Sequence, residues 1–258
     1  MFSGSVRLVS NTHLFARACA AGRQVLVYSM VMDADADLAM ILPLPVERGI
    51  DETDVNFIDM SPYADFFEDL EEAVNIWQDC RSLEAPQAAR PKPPLLVRNV
   101  GSFEASFAPT LGDMGRLDSR FRLEPEVWQK LPIYEDFGFA VFKLRAGLKR
   151  IHPMAFEFPR RDPKSLFFPT VHVHDGHSVP PVADFDHELF FQSAWYPRLE
   201  QDWFTSGIPV ASRMRQTSLP PGLMEPKQPC YSIQIRGRHP NRDTYLVEDQ
   251  DGRLTKAP

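Results

Sequence analysis

Apolar and polar residues alternate along most of the chain, the period of a strand with one buried face. Residues 4–9, 12–19 and 23–32 are three such runs, broken at Asn11 and at Ala21-Gly22, and they predict an opening β-meander. Gln24 to Met30 leads through a polar loop into Ala39-Met40-Ile41-Leu42-Pro43-Leu44-Pro45, where Pro43 marks an edge strand or a strand end. The period then changes. Phe66, Phe67, Leu70, Val74 and Trp77 recur at helical spacing behind Ser61-Pro62, which reads as an N-cap followed by proline at the first helical position. This predicts one main helix over 62–79. Its acidic residues Asp65, Glu68, Asp69, Glu71 and Glu72 suit the helix dipole and read as a solvated face.

Residues 81–94 are rich in proline and small side chains, have no apolar period, and predict an extended linker. That divides the chain into a first β half with its helix, 1–80, and a second β half, 95–258, with one continuous domain as the alternative. Strands follow near 95–108, a short helix near 124–131 behind Pro125, and strands again at 137–144, 151–158 and 166–174. At an offset of 114 residues, Val27-Tyr28-Ser29-Met30 lies over Val141-Phe142-Lys143-Leu144, and Met40 to Pro45 lies over Met154 to Pro159. The strand-like 56–60 falls on 170–174 without a gap. An internal duplication and two unrelated meanders both produce such a match, because any two alternating segments align. The expected fold is α+β and β-dominated, with two similar β-meander halves packed together and helix 62–79 covering one sheet face.

Composition narrows the function classes. The 24 prolines, nearly twice the usual share of ~5%, are scattered and punctuate many short elements. A net charge of -7 repels a phosphate backbone, and the one dense basic stretch, Lys143 to Arg161, interleaves with apolar residues in strand rhythm. Nucleic acid is therefore not an expected partner. Cys19, Cys80 and Cys230 have unrelated spacings and read as reduced thiols. No run approaches the ~18 apolar residues of a membrane helix, and the first twenty residues lack an apolar signal region, so a cytoplasmic protein is expected.

The densest polar cluster is His172-Val173-His174-Asp175-Gly176-His177, followed by Asp184-Phe185-Asp186-His187. Four of seven histidines fall within these sixteen residues. If 166–174 is a strand, His172 and His174 share a face, and a hairpin closed by 175–185 brings His187 beside them. Imidazoles with one carboxylate suit zinc or ferrous iron, so His172, His174, His187 and Asp186 are candidate ligands, with Asp175 an alternative carboxylate. The competing reading makes them partly buried histidines hydrogen-bonded to a nearby aspartate, because the offset places His172 and His174 over the apolar Ile58 and Met60. The metallo-β-lactamase pattern His-x-His-x-Asp-His is not met, since Asp175 stands one residue early. Asp33, Asp35 and Asp37 imitate a calcium loop, but Leu38 and Leu44 replace its glycine and glutamate, leaving a polar turn. Phosphate-binding glycine loops and the serine-hydrolase elbow do not occur. The pairs Phe66-Phe67, Phe167-Phe168 and Phe190-Phe191 read as packing.

Met40-Ile41-Leu42-Pro43-Leu44-Pro45 behind Val27 to Met30, together with His172 to Gly176 and Phe185-Asp186-His187, resembles an uncharacterised family of mainly bacterial proteins. The resemblance implies a shared fold over most of the chain and transfers no catalytic residue. Two function classes remain. The first is a non-catalytic cytosolic binding or interaction protein without cofactor, its partner unspecified; the second is a zinc- or iron-dependent enzyme on the histidine cluster.

Overall fold

The strand period prevails in three dimensions. The computed structural model describes residues 1–74, 98–100, 103–193, 203–214, 219–251 and 253–257. Its strands are β1 (Leu8–Ala18), β2 (Arg23–Asp33), β3 (Leu38–Leu44), β4 (Asn56–Ile58), β5 (Arg98–Val100), β6 (Phe103–Ala108) and β7 (Gly138–Leu144). They continue with β8 (Lys149–Pro159), β9 (Ser165–Phe168), β10 (Val182–Gln192), β11 (Trp203–Thr205), β12 (Tyr231–Pro240), β13 (Thr244–Glu248) and β14 (Leu254–Lys256). The α-helices are α1 (Phe66–Val74) and α2 (Pro125–Gln129). Three sheets result: β11-β12-β10-β1-β2-β8-β4, β3-β7-β6-β5 and β14-β13-β9.

The first two predicted runs are a single strand, β1, whose ladder slips between Ser10 and His13, where Asn11 takes a left-handed φ of 49°. The helix is shorter at its start than predicted. A 3-10 turn at Ser61–Tyr63 precedes α1, its N-cap position is Met60, and Asp59 accepts the Ser61 amide at 2.9 Å. Residues 75–79 of that helix, and the predicted linker 81–94, lie outside the described residues.

The expected halves are not separate meanders packed together. β2 pairs with β8, β3 with β7, and β1 with β10, so strands from both sides of the linker share the same ladders. The β1–β10 pairing is parallel, whereas the other ladders are antiparallel. Strand 166–174 also differs from expectation. It ends at Phe168, because Pro169 has no amide to donate to a ladder. Beyond it, side chains replace the ladder: Asp243 accepts the amides of Thr170 and Val171 at 2.9 and 3.0 Å, and Asn241 accepts that of His172 at 2.6 Å.

The seven-stranded sheet carries a different layer on each face. Leu14, Leu26, Met30, Phe156, Leu189, Phe191 and Ile233 pack into the large core against the two smaller sheets. The residues between them, Phe15, Val25, Val27, Ala155 and Phe190, pack under Phe66, Phe67, Leu70, Ala73 and Val74 of α1. Strand alternation thus sends neighbouring residues to opposite layers. Six rings of the three phenylalanine pairs are at most 1% exposed, as packing requires. Among the described residues, no helix is long and apolar enough to cross a membrane.

Candidate functional site

β10 presents two polar positions in succession. His187 faces the large core with Phe185 and Leu189, and Glu188 faces α1 with Phe190.

On the core side the predicted histidines do meet, though not through the predicted hairpin. His172 and His174 lie on the irregular segment pinned by Asn241 and Asp243, and β10 pairs with β1 and β12. Gly176 ends that segment at φ +80°, where an added Cβ would stand 2.9 Å from the Ser3 carbonyl oxygen. His172 stacks on His174 at a ring-centroid distance of 4.8 Å, on His187 at 5.0 Å and on Phe185 at 4.4 Å. Its Nε2 lies 3.4 Å from Nε2 of His187, so one ring donates to the other. Burial holds all three imidazoles neutral: it lowers His172 to about 3, His174 to about 4, and His187 well below the ordinary range.

The expected aspartate partners are engaged elsewhere. Asp175 accepts the amides of His177 and Ser178 at 2.9 and 2.7 Å, and Asp186 Oδ2 accepts that of Asn11 at 2.6 Å. Asp186 Oδ1 stays 3.7 Å from His187 Nδ1, beyond hydrogen-bond reach, and this nitrogen is buried with no partner among the described residues. The imidazole planes of His174 and His187 lie 21° and 25° from that of His172, a stacked arrangement. Among the described residues, the His, Cys, Asp and Glu ligand atoms that close to within 4.8 Å as a trio belong to a different set. Beside the stack, burial pushes the Asp243 carboxyl up to about 6 while Tyr134 donates to it at 2.7 Å.

That different set is His13, Glu71 and Glu188, on the α1 side. His13 and Glu188 are paired across the parallel β1–β10 ladder and share a face. Glu71 reaches down from α1, with Oε1 2.7 Å from His13 Nε2. Glu188 is 3% exposed. The His13 ring packs on Phe67 at 5.4 Å and on Phe190 at 6.2 Å. The acidic face of α1 is therefore not merely solvated, since Glu71 meets His13, Glu68 pairs with Arg150, and Asp69 is buried. No local motif announces this trio, because its members come from three remote segments. The available signal was a helix face carrying more acids than a dipole needs.

A cleft of about 270 Å³ at the other end of the sheet is lined by Arg17, Cys19, Arg160, Gln192 and Glu225 among others. Its arginines are already committed, Arg17 to the carbonyls of Gly222 and Leu223, Arg160 to those of Gly22 and Ser165.

Exposed large apolar residues concentrate elsewhere. Leu8 (45% exposed) opens β1, Val182 (39%) opens β10, and Leu148 (68%) immediately precedes β8. Leu8 pairs with Asp33, and Val31, half-buried, pairs with Ser10 and Arg150. All lie at one end of four neighbouring strands, β10-β1-β2-β8, a width of about 15 Å at ~4.8 Å per strand. Alternation puts Leu8, Val31 and Val182 on the α1 face, beyond the helix footprint marked by the His13 and Arg150 contacts.

No family model and no curated protein matches the chain. Among solved structures it is similar to baculovirus P35, with a TM-score of 0.46 and 12% identity over 94% of this chain and 96% of that one. A mutated baculovirus P35 after caspase cleavage gives a TM-score of 0.44 at 9% identity, covering 92% of this chain and 99% of that one. P35 in a caspase-8/P35 complex gives 0.42 at 9%, covering 92% and 96%. At these scores the function of this chain has to be argued from its own residues.

Proposed function

We propose that this is a non-catalytic binding protein that engages another protein through the uncovered end of the α1 face. The observation that carries this reading is the concentration of Leu8, Leu148 and Val182 at one end of four neighbouring strands, Leu8 and Val182 on the α1 face. Single exposed aliphatic residues are ordinary, but adjacent ones rimmed by charge mark surfaces that lose water on association. The rim is polar here: Arg7 is paired with Asp33 and Asp35, and Arg150 with Glu68. The histidine cluster supports the same reading from the other side, because its imidazoles are stacked and buried in the core, where burial favours their neutral form and they pack as part of a scaffold.

Photocrosslinking in cells tests it. A crosslinking residue at Leu8 or Val182 is expected to give a discrete protein adduct that Leu148→Glu abolishes. The same probe at Ile133, exposed in the 3-10 turn after α2, is expected to give none. Equal adducts from both places, or none from Leu8 and Val182, would overturn the reading.

A further inference from the structure

His13, Glu71 and Glu188 are one donor each from β1, α1 and β10, and we propose that they form a zinc site that locks α1 onto the sheet. Geometry is the first reason. One imidazole nitrogen and one oxygen from each of two carboxylates all lie within 4.8 Å of one another, and Glu188 is 3% exposed, so the donors converge at a largely enclosed point. A divalent cation there takes a lone pair from each of the three.

The donor set selects the metal. One imidazole with two carboxylates is a nitrogen-and-oxygen set, which suits zinc, ferrous iron or manganese, while calcium and magnesium prefer oxygen only. Within that group the Irving–Williams order favours zinc over iron and manganese. Three protein ligands leave a fourth tetrahedral position for water, and Glu71, with its side chain 38% exposed, lies on the open side where an ion enters.

The site is also held in place. His13 and Glu188 are fixed by ladder pairing, and Phe67 and Phe190 pack on the His13 ring. Tetrahedral ligands at 2.0–2.1 Å from zinc sit roughly 3.3 Å apart. The 2.7 Å contact between His13 and Glu71 therefore opens by about 0.6 Å on binding, a movement within the side-chain freedom of a helix-surface glutamate. The inference does not depend on the protein-binding reading, because it concerns how α1 is attached and not what docks beside it.

Chelator-treated full-length protein titrated with zinc sulfate by calorimetry tests the site. The expected result is one equivalent bound, a visible spectrum of tetrahedral character when Co2+ replaces Zn2+, and a Tm raised by about 5 °C at saturating zinc. Glu71→Gln changes a partly exposed residue, leaves the fold intact, and is expected to weaken zinc binding at least 100-fold; Glu188→Gln is expected to do the same. The His172→Ala, His174→Ala double variant is expected to bind zinc like the parent. Absence of zinc binding by the parent overturns the proposal, as does binding that survives both glutamate variants. Loss of binding only in the histidine double variant overturns it too, by moving the metal to the imidazole stack. Photocrosslinking at Leu8 and Val182 reads out the partner surface separately, so failure of either idea is visible on its own.

Discussion

His187 and Glu188 are consecutive residues, yet one ends in a neutral stack of imidazoles and the other in a trio of one imidazole and two carboxylates. The difference comes from the two layers that the seven-stranded sheet separates. On the core side, burial disfavours charge, and His172, His174 and His187 behave as flat packing groups, with a hydrogen bond between His172 and His187. On the α1 side, a helix delivers Glu71 from outside the sheet, so two carboxylates and an imidazole are brought together. A dense run of histidines is thus weaker evidence for chemistry than an imidazole and two carboxylates contributed by three elements.

Removing the aromatic floor of the trio is expected to have the largest effect. Phe67→Ala deletes a ring that is 1% exposed and in contact with His13, Phe66 and Phe190, and should cost about 3–5 kcal/mol in urea unfolding. If the cost were below 1 kcal/mol, α1 would not be the second layer described here.

Acid should expose the core-side cluster next. The histidines have depressed folded pKa values, so their stability is present above the unfolded value of about 6.5 and is lost as pH falls toward 4 and 3. Asp243 acts with the opposite sign: its folded value is raised to about 6, so its contribution is present below the unfolded carboxylate value near 4 and is lost as pH rises through 6. Three imidazoles outweigh one carboxyl, and a net loss of roughly 3 kcal/mol or more is expected between pH 7 and pH 4. Asp243→Asn removes the compensating group and should steepen this acid limb. Urea titrations at pH 7, 5.5 and 4 check both, and a flat profile would contradict burial of the stack.

Smaller effects sharpen the contrast. Glu71→Gln in zinc-free protein should cost no more than about 1 kcal/mol, the range of a partly exposed ion pair. Leu8→Ser and Val182→Ser should shift stability by less than about 0.5 kcal/mol, because neither side chain is buried in the monomer. A larger loss would place these residues in the fold rather than in a binding surface.

Much of the architecture was legible in the chain. Alternation announced β1, β2, β3, β7 and β8, and the spacing of Phe66, Phe67, Leu70 and Val74 announced α1. The meeting of His172, His174 and His187 was legible as well, because short-range clustering in sequence leaves few ways to keep side chains apart. What failed was everything set by distant pairing. The hairpin expected between His174 and His187 assumed that neighbouring strands pair, whereas β10 lies beside β1. The two-halves picture failed for the same reason: local periodicity fixes which face a residue takes, not which strand lies next to it. His13, Glu71 and Glu188 were hidden for that reason too.

The parallel contact of β1 with β10 also governs how the chain reaches its native state. Asn11 and Asp186, bonded across this junction, are 175 positions apart, so β1 waits for that length of chain to be made with one side paired to β2 and the other open. Its exposed edge carries Leu14-Phe15-Ala16, an apolar template for wrong partners. Folding should therefore be slow, in the range of milliseconds to seconds, and refolding yield should fall as protein concentration rises. The strand at the centre of the finished sheet is the one most vulnerable while the sheet is being assembled.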